Sequence, residues 1–166
     1  MSEHLKPRKE PTVFALVITT DTRSEREDQT GREAMALIEA EGHRVASHTL
    51  VPNDEDRIRA EVQRLLSYNE VRVIVTSGGT GIGKKDRTVA AVTPLFEKEM
   101  PGFGELFRRL SYEEVGVAAL MSRATAGVTG GKLVFVLPGS RGAVRTALSK
   151  LILPGVGHML WEIDRP

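Results

Sequence analysis

Seven consecutive apolar or β-branched residues, Val13–Thr19, constrain the fold more than any other feature of the chain. A continuous run of this kind predicts a strand that is buried on both faces, as in a parallel sheet covered by helices. Two further runs, Val45–Val51 and Val71–Thr76, have the same character. The segments Gly31–Gly42 and Asp54–Ser67 carry apolar residues at helical spacing. Strands that alternate with helices in this way indicate a mainly parallel sheet with helices on both faces.

The middle of the chain, Thr88–Met121, is predicted to be helical with two breaks. Pro101-Gly102 marks the first break, because proline and glycine interrupt helices. Ser111-Tyr-Glu-Glu114 has the form of a capping box, so we expect a new helix to begin there.

The last third of the chain predicts a hairpin and a final helix. Ala124–Thr129 and Lys132–Leu137 are predicted strands, and Gly130-Gly131 between them is a hairpin signal. The turn Pro138-Gly-Ser140 then leads into a helix. We therefore expect a three-layer αβα fold, with a mainly parallel sheet and a short antiparallel hairpin.

Composition limits the class of protein. The 166 residues fit one domain, which we expect to span residues 12–166 after a flexible N-terminal arm at residues 1–11. No cysteine is present, which excludes disulfides, thiolate nucleophiles and zinc–cysteine sites. A formal net charge of +1 argues against a nucleic-acid partner. No window approaches the ~18–20 apolar residues of a membrane span, so we expect a cytoplasmic protein without a membrane partner.

In parallel sheets, ligands bind outside the carboxyl ends of the strands. Three loops are predicted to leave those ends: Thr19–Gly31, Ser77–Asp86 and Pro138–Ser140. We therefore expect the functional residues in these loops.

The second of these loops reads Thr76-Ser-Gly-Gly-Thr-Gly-Ile-Gly-Lys-Lys-Asp86. Its glycines let backbone amides turn toward one concavity, and the hydroxyls of Ser77 and Thr80 add donors. The helix predicted after the loop adds its positive N-terminal end. These features predict a phosphate site on Ser77, Gly78, Gly79, Thr80 and Gly81, whereas the alternative is a flexible turn without a ligand.

Two common nucleotide motifs do not fit this loop. The spacing from Gly78 to Gly83-Lys84 matches a P-loop, but Lys85 stands where Ser or Thr would bind magnesium. The dinucleotide fingerprint also fails, because Lys84 occupies its third glycine position.

Several carboxylates and one arginine complete the candidate site. Asp86 stands where the glycine loop becomes a helix; it either caps that helix or binds Mg²⁺ beside the phosphate. Asp54 likewise opens a helix after a strand, and Asp21 and Asp28 lie in the first loop. Ser122-Arg123 is either a phosphate partner or an ordinary surface pair. The four histidines share no metal-ligand spacing and are assigned no chemistry; they are His4, His43, His48 and His158.

Taken together, these motifs resemble the molybdenum cofactor biosynthesis family that includes MoaB, MogA and the matching domain of gephyrin. The resemblance runs from about Val13 to about His158, and Phe103–Gly127 is more similar to the MoaB branch. The segments that carry it are Thr76-Ser-Gly-Gly-Thr-Gly81, Asp86-x-Thr88, Met100-Pro-Gly-Phe-Gly-Glu105, Phe107-Arg108, Leu110-Ser-Tyr-Glu-Glu-Val-Gly116, Ser122-Arg-Ala-x-Ala-Gly127 and Leu137-Pro-Gly-Ser140.

The resemblance implies an activity and a partner. Members of this family bind molybdopterin, and active members use Mg²⁺ and ATP to adenylylate its terminal phosphate. They assemble as trimers, which MoaB-type members often pair into hexamers, and they pass their product toward a molybdenum-insertion protein. We therefore expect a molybdopterin adenylyltransferase, with a non-catalytic molybdopterin carrier or a general nucleotide-binding module as alternatives.

The resemblance also implies roles for single residues. Asp86 and Asp54 match the family's two acidic positions and become the expected catalytic and Mg²⁺-binding residues. The loop Ser77–Gly81 would hold phosphate, and Thr88, Asp21 and Asp28 are secondary candidates. The remaining residues would line the pterin or phosphate side; they are Ser122, Arg123, Pro138, Gly139 and Ser140.

Overall fold

The structure is a computed structural model that describes residues 10–166. Most of the expected N-terminal arm, residues 1–9, lies outside the described residues.

Six strands and six α-helices make up the described chain, alternating up to α4 and followed by the hairpin β5–β6 and then α5 and α6. The strands are β1 Val13–Thr19, β2 Arg44–Val51, β3 Val73–Ser77, β4 Lys98–Glu99, β5 Thr125–Thr129 and β6 Lys132–Leu137. The α-helices are α1 Gln29–Ala40, α2 Glu55–Leu66, α3 Thr88–Val92, α4 Pro101–Val115, α5 Arg141–Ala147 and α6 Leu153–Asp164. Short 3₁₀ turns span Thr93–Leu95 and Gly116–Met121, and a π-helical turn, Leu148–Ile152, joins α5 to α6.

All six strands form one sheet in the order β2-β1-β3-β6-β5-β4. The first four of these pair in parallel, and β5 pairs antiparallel with both β6 and β4. This arrangement confirms the expected mixed fold with its hairpin. Because β1, β3 and β6 are neighbours, the three loops predicted to carry function leave adjacent strands at the same edge of the sheet.

Apolar side chains on the two faces of the sheet build two cores. Alternate residues of β1 show this, since Phe14 and Leu16 belong to one core and Ala15 and Val17 to the other. Helices α1, α4, α5 and α6 cover the first face, and α2 and α3 cover the second. The fold therefore has the expected three layers.

The helix break predicted at Ser111 is wrong, because α4 continues from Pro101 to Val115. Phe103, Phe107 and Ser111 are spaced four residues apart and are all buried, so they lie on one face of the helix. Packing of the two phenylalanines extends the helix through the capping-box sequence, and Ser111 becomes an interior position.

Residues Lys98–Glu99 form a short strand where a helical segment was predicted. Pro94 stands in the 3₁₀ turn that follows α3, and the chain then pairs antiparallel with β5, Glu99 opposite Gly127. A Cβ at Gly127 would lie 2.4 Å from Cγ of Phe96. The absence of a side chain at Gly127 therefore makes room for the Phe96 ring as the chain enters β4.

The final helical segment is interrupted by its π-helical turn just before Pro154. Proline has no amide hydrogen and its ring crowds the preceding turn, so a wider turn accommodates it. No helix within residues 10–166 is both long enough and apolar enough to cross a membrane.

Candidate functional site

The ends of β1, β3 and β6 meet at Gly78. The amide of Gly78 donates to the carbonyl oxygen of Leu137 at 2.9 Å. A Cβ at Gly78 would lie 2.5 Å from the carbonyl oxygen of Thr19, and one at Gly139 would lie 3.3 Å from Cα of Gly78. A side chain at Gly78 would clash with the end of β1, so glycine is needed at this meeting point.

The glycine loop continues in a conformation that other residues rarely adopt. Gly78 and Gly79 have φ values of +108° and +71°, in the region that favours glycine. The Thr88 amide donates to the Gly79 carbonyl at 3.1 Å, and its hydroxyl donates to Thr19 Oγ1 at 3.2 Å. Thr88 therefore ties the loop to the end of β1.

This geometry leaves donors for an anion. Within residues 10–166, the amides of Gly79, Thr80 and Gly81 donate to no other residue. Ser77 Oγ donates to the Pro138 carbonyl at 3.0 Å, which joins the loop to the next turn. Helix α3 has only five residues, so its dipole adds little and the loop amides are the main donors.

Asp86 closes the glycine loop. Its Oδ2 accepts a hydrogen bond from the Gly83 amide at 2.8 Å, and Arg87, not Asp86, occupies the N-cap position of α3. The helix-capping alternative for Asp86 is therefore wrong. A Cβ at Gly81 would lie 2.8 Å from Asp86 Oδ2, so glycine is needed where the carboxylate folds back. Asp86 Oδ1 has no partner within residues 10–166.

Arg123 holds the same loop from its outer side. Its guanidinium donates to the carbonyl oxygens of Gly81 at 2.9 Å and Asp86 at 3.3 Å, and its amide donates to the Thr80 carbonyl at 2.9 Å. Three carbonyl groups of the loop are thus bound by one residue. Arg123 therefore fixes the backbone of the loop between Thr80 and Asp86.

Two cavities flank the turn 138–140. The polar cavity, of about 320 Å³, is lined by Ile18, Thr19, Thr20, Asp21, Thr22, Arg23, Asn53, Ser77, Lys85 and Gly139. The second cavity, of about 280 Å³, is lined by Phe107, Ser111, Glu114, Val115, Ala118, Ala119, Ser122, Pro138, Ser140, Gly142 and Ala143. We name it the ring cavity, after the Phe107 side chain in its lining. The polar cavity offers hydroxyl groups and the two cations Arg23 and Lys85, which suit an anion. The ring cavity is mostly apolar with a few polar groups, which suits a small organic ligand.

Asp21 is fixed inside the polar cavity. It accepts hydrogen bonds from the backbone amide of Asn53 at 2.8 Å and from its side-chain amide at 3.1 Å. These bonds, with a smaller contribution from the Lys85 ammonium, hold the pKa of Asp21 below its ordinary value.

Sequence reasoning assigned no role to three residues that line the polar cavity. Lys85 entered only the argument against a P-loop, and Arg23 and Asn53 were assigned no role. Their position after strand ends was the available signal.

The remaining predicted residues are placed differently. Asp54 is exposed and caps α2, accepting from the Arg57 amide at 2.9 Å, and it lines neither cavity. Asp28 is fully buried and contacts His48. Within the described part of the chain, no group of three or more histidine or acidic side chains is arranged to hold a metal ion.

A third cavity lies on the outer side of the glycine loop. It is open, measures about 590 Å³, and is lined by Ile82, Gly83, Lys84, Asp86, Arg87, Ala90 and Arg123. Asp86 therefore faces a different cavity from Asp21, and the loop separates the two.

Comparison with known proteins assigns this geometry to a family. The sequence profile of the family described as "Probable molybdopterin binding domain" matches residues 15–158. The chain belongs to this family. It is 43% identical over 166 residues to molybdenum cofactor biosynthesis protein B of Bacillus cereus, covering 99% of this chain and 98% of that protein.

Solved structures agree with this assignment. A crystal structure of a molybdenum cofactor biosynthesis protein B superposes with a TM-score of 0.92 at 43% identity, covering 96% of this chain and 99% of that chain. The tungsten cofactor synthesizing protein MoaB from Pyrococcus furiosus gives a TM-score of 0.86 at 35% identity, with 95% and 100% covered. A MogA structure gives 0.81 at 26% identity, so the expected placement in the MoaB branch is confirmed.

Proposed function

We propose that the protein binds molybdopterin and transfers an adenylyl group from ATP to its terminal phosphate. The observation that carries the proposal is the glycine loop, whose amides at Gly79, Thr80 and Gly81 are free of partners within residues 10–166. Such a row of amides suits a phosphate group. Relatives named molybdenum cofactor biosynthesis protein B supply the class of substrate.

In this proposal the two cavities beside the turn 138–140 hold different parts of molybdopterin. The terminal phosphate is placed on the glycine loop, at the edge of the polar cavity that Ser77, Arg23 and Lys85 line. The pterin ring lies in the ring cavity, where Phe107 and Pro138 offer apolar surface and Ser122 and Ser140 offer hydroxyls. A flat heterocycle with polar edges requires this combination of surfaces.

The nucleotide lies on the other side of the loop. The open cavity beside Asp86 carries the cations Lys84 and Arg87 at its rim, and cations at this position neutralise the charge of a triphosphate. The glycine loop, which separates this cavity from the polar one, is then shared by both substrates.

No side-chain base is needed for the transfer. A phosphate monoester has a second pKa near ~6 and is largely a dianion at pH 7. One of its oxygens forms a bond to the α-phosphorus of ATP, the bond to the bridging α,β-oxygen breaks, and pyrophosphate leaves with that electron pair. The protein supplies position and charge neutralisation, as in other phosphoryl-type transfers.

The residues present fit a magnesium ion. Mg²⁺ in nucleotide sites takes one or two carboxylates together with phosphate oxygens and water, and Asp86 has one carboxylate oxygen without a partner among residues 10–166. Asp86 would hold the ion. Asp54 already uses one carboxylate oxygen to cap α2, so it would bind the ion only with its other oxygen. When bound, the ion would neutralise charge on the phosphate oxygens.

One reaction mixture tests the proposal. Purified protein, molybdopterin, ATP and Mg²⁺ are expected to give adenylylated molybdopterin and pyrophosphate. Titration with MgATP separates the alternatives, since a molybdopterin carrier should bind pterin without a nucleotide site and a nucleotide module should bind ATP without pterin. Pterin binding with no MgATP heat would contradict the adenylyltransferase assignment.

The proposal includes assembly of identical chains into a trimer. Six large apolar side chains are exposed on α4 and the 3₁₀ turn after it: Leu106, Tyr112, Val115, Val117, Leu120 and Met121. We name this set the apolar face. Exposed apolar clusters on a small protein mark association sites, and a second copy of the chain is the proposed occupant.

A further inference from the structure

Asp28 and His48 form a buried pair that none of the proposed chemistry uses. The Asp28 side chain is fully buried, its Oδ2 lies 2.7 Å from His48 Nε2, and its Oδ1 accepts from the Gly31 amide at 2.9 Å. A Cβ at Gly31 would lie 2.2 Å from Asp28 Oδ2 and 2.4 Å from His48 Nε2. The pair thus packs directly against the backbone of the first turn of α1.

A buried carboxylate is stable only when its charge and lone pairs are satisfied. Here the first turn of α1 supplies one donor, and its positive end favours the negative charge. His48, on β2, supplies the other. Since β2 belongs to the sheet, the histidine connects the start of α1 to a rigid element.

The loop that precedes Asp28 is bonded within itself. Glu27 accepts from the amide and hydroxyl of Ser24 at 3.0 and 2.9 Å. Arg32 of α1 donates to the carbonyls of Glu25 and Arg26 at 3.3 and 2.8 Å. Near β1 the loop is attached by the Thr20 amide, which donates to the Val51 carbonyl at 2.9 Å, and by Asp21, which accepts from Asn53. At its other end the Asp28–His48 pair is its attachment to the sheet.

The same turn carries contacts into the polar cavity. Thr30 is buried, its hydroxyl donates to the Gly139 carbonyl at 3.4 Å, and Arg23 Nη1 donates to Thr30 Oγ1 at 3.5 Å. Arg23 and Gly139 both line the polar cavity. The Arg23 amide is held by Thr20 Oγ1 at 3.2 Å, so it is the guanidinium whose position depends on where the first turn of α1 lies.

From these contacts we infer that His48 is a positioning residue: through Asp28 it holds the loop 20–28 so that Arg23 faces an anion in the polar cavity. The inference rests on the proposed phosphate site and assigns a role to a histidine that touches no substrate. Loss of the His48 donor leaves a buried carboxylate oxygen unpaired, which favours local opening of the loop.

The first test measures the loop without any ligand. Hydrogen exchange of the amides in residues 20–31 is expected to rise about tenfold in His48→Leu, since local opening controls exchange there. His48→Gln keeps a side-chain donor and is expected to restore wild-type exchange. His43→Leu, which removes another half-buried histidine just before β2, serves as the control and should leave these amides unchanged.

The second test uses inorganic pyrophosphate as the probe, titrated into the full-length protein. We expect His48→Leu to weaken binding about fivefold, His48→Gln to restore it, and Arg23→Met to weaken it by itself. In the Arg23→Met background His48→Leu should have no further effect, because contacts that act through one another are not additive. General destabilisation would instead give additive losses.

Each result distinguishes the inference from the proposed function. Unchanged exchange in His48→Leu, equal pyrophosphate affinity, or additive losses in the double variant would overturn the positioning role while the phosphate site stands. If the wild-type protein does not bind pyrophosphate, the phosphate site itself fails, and the role of Arg23 fails with it.

Discussion

Arg123 Nε donates to the Gly81 carbonyl oxygen at 2.9 Å, which joins the segment before β5 to the middle of the glycine loop. The same guanidinium reaches the Asp86 carbonyl at 3.3 Å. One exposed side chain therefore fixes two points of the loop that is proposed to bind phosphate. Its Nε and Nη2 donors bind backbone carbonyls, so they act on the shape of the loop.

Replacing Arg123 tests this role. Arg123→Met is expected to weaken pyrophosphate binding about tenfold, since two loop contacts are lost, while the free energy of unfolding falls by about 1 kcal/mol or less because the side chain is exposed. Arg123→Lys has one ammonium in place of a planar fork and should recover only part of the binding. Titration calorimetry and thermal unfolding give both quantities, and equal binding by all three proteins would contradict the assigned role.

Gly79 is expected to tolerate no side chain. A Cβ there would lie 2.3 Å from Thr88 Oγ1, and the φ of +71° is unfavourable for alanine. Gly79→Ala should therefore lower the free energy of unfolding by about 1–3 kcal/mol. Gly102→Ala is the control, because no atom beyond its chain neighbours and its own helix backbone lies within 4 Å of its Cβ position, and it should leave stability unchanged or raise it by up to about 1 kcal/mol. Denaturant unfolding of the two variants compares them directly.

Asp86→Asn separates the shape of the loop from its charge. The amide oxygen can still accept from the Gly83 amide, so the fold and molybdopterin binding are expected to stay close to wild type. Turnover should fall at least about a hundredfold, because the carboxylate proposed to hold Mg²⁺ is gone. Asp54→Asn is the comparison, since asparagine also caps helices well. A fully active Asp86→Asn protein would remove Asp86 from the chemistry.

Local patterns were sufficient to predict most of the fold. The apolar run Val13–Thr19 and the helix before Ser67 match β1 and α2, because their burial follows directly from residue spacing. The capping-box pattern at Ser111 wrongly predicted the start of a new helix, because the packing of Phe103 and Phe107, which extends α4, cannot be seen in the local sequence. The strand at Lys98–Glu99 depends on a partner about thirty positions later in the chain, which spacing along the sequence does not reveal.

The candidate site was predictable where it depends on backbone and not where it depends on long-range pairs. The conformation of the glycine loop could be predicted from its sequence, because only glycine fits at position 78. The contact of Asp28 with His48 spans twenty positions and joins a loop to a strand, so neither residue signals it alone. The contacts of Arg123 with the glycine loop are also long-range. The sequence suggested a phosphate contact for Arg123 but could not show that it binds the carbonyls of Gly81 and Asp86.

His43 is expected to make stability depend on pH. Burial lowers the pKa of His43 from its ordinary value near 6.5, with Glu41 opposing in part, and its Nδ1 accepts from the Thr12 amide at 3.1 Å. Between the lowered pKa and about pH 6.5 the unfolded chain binds more protons, so stability rises with pH through that window and is lost on acidification. His43→Asn keeps an acceptor but cannot titrate, and its unfolding free energy should vary less between pH 5 and pH 7, compared by urea denaturation.

Disruption of the apolar face should separate the chains. Leu120 and Val117 expose 81% and 72% of their surface, and a charge at either position would be buried without a partner in any assembly that uses this face. Leu120→Glu is therefore expected to convert the proposed trimer to a monomer with little change in intrinsic fold, measured by light scattering coupled to gel filtration. Tyr68→Gln, an exposed aromatic residue outside the apolar face, should stay trimeric. A trimeric Leu120→Glu protein, or a monomeric wild type, would show that a second copy does not cover this face.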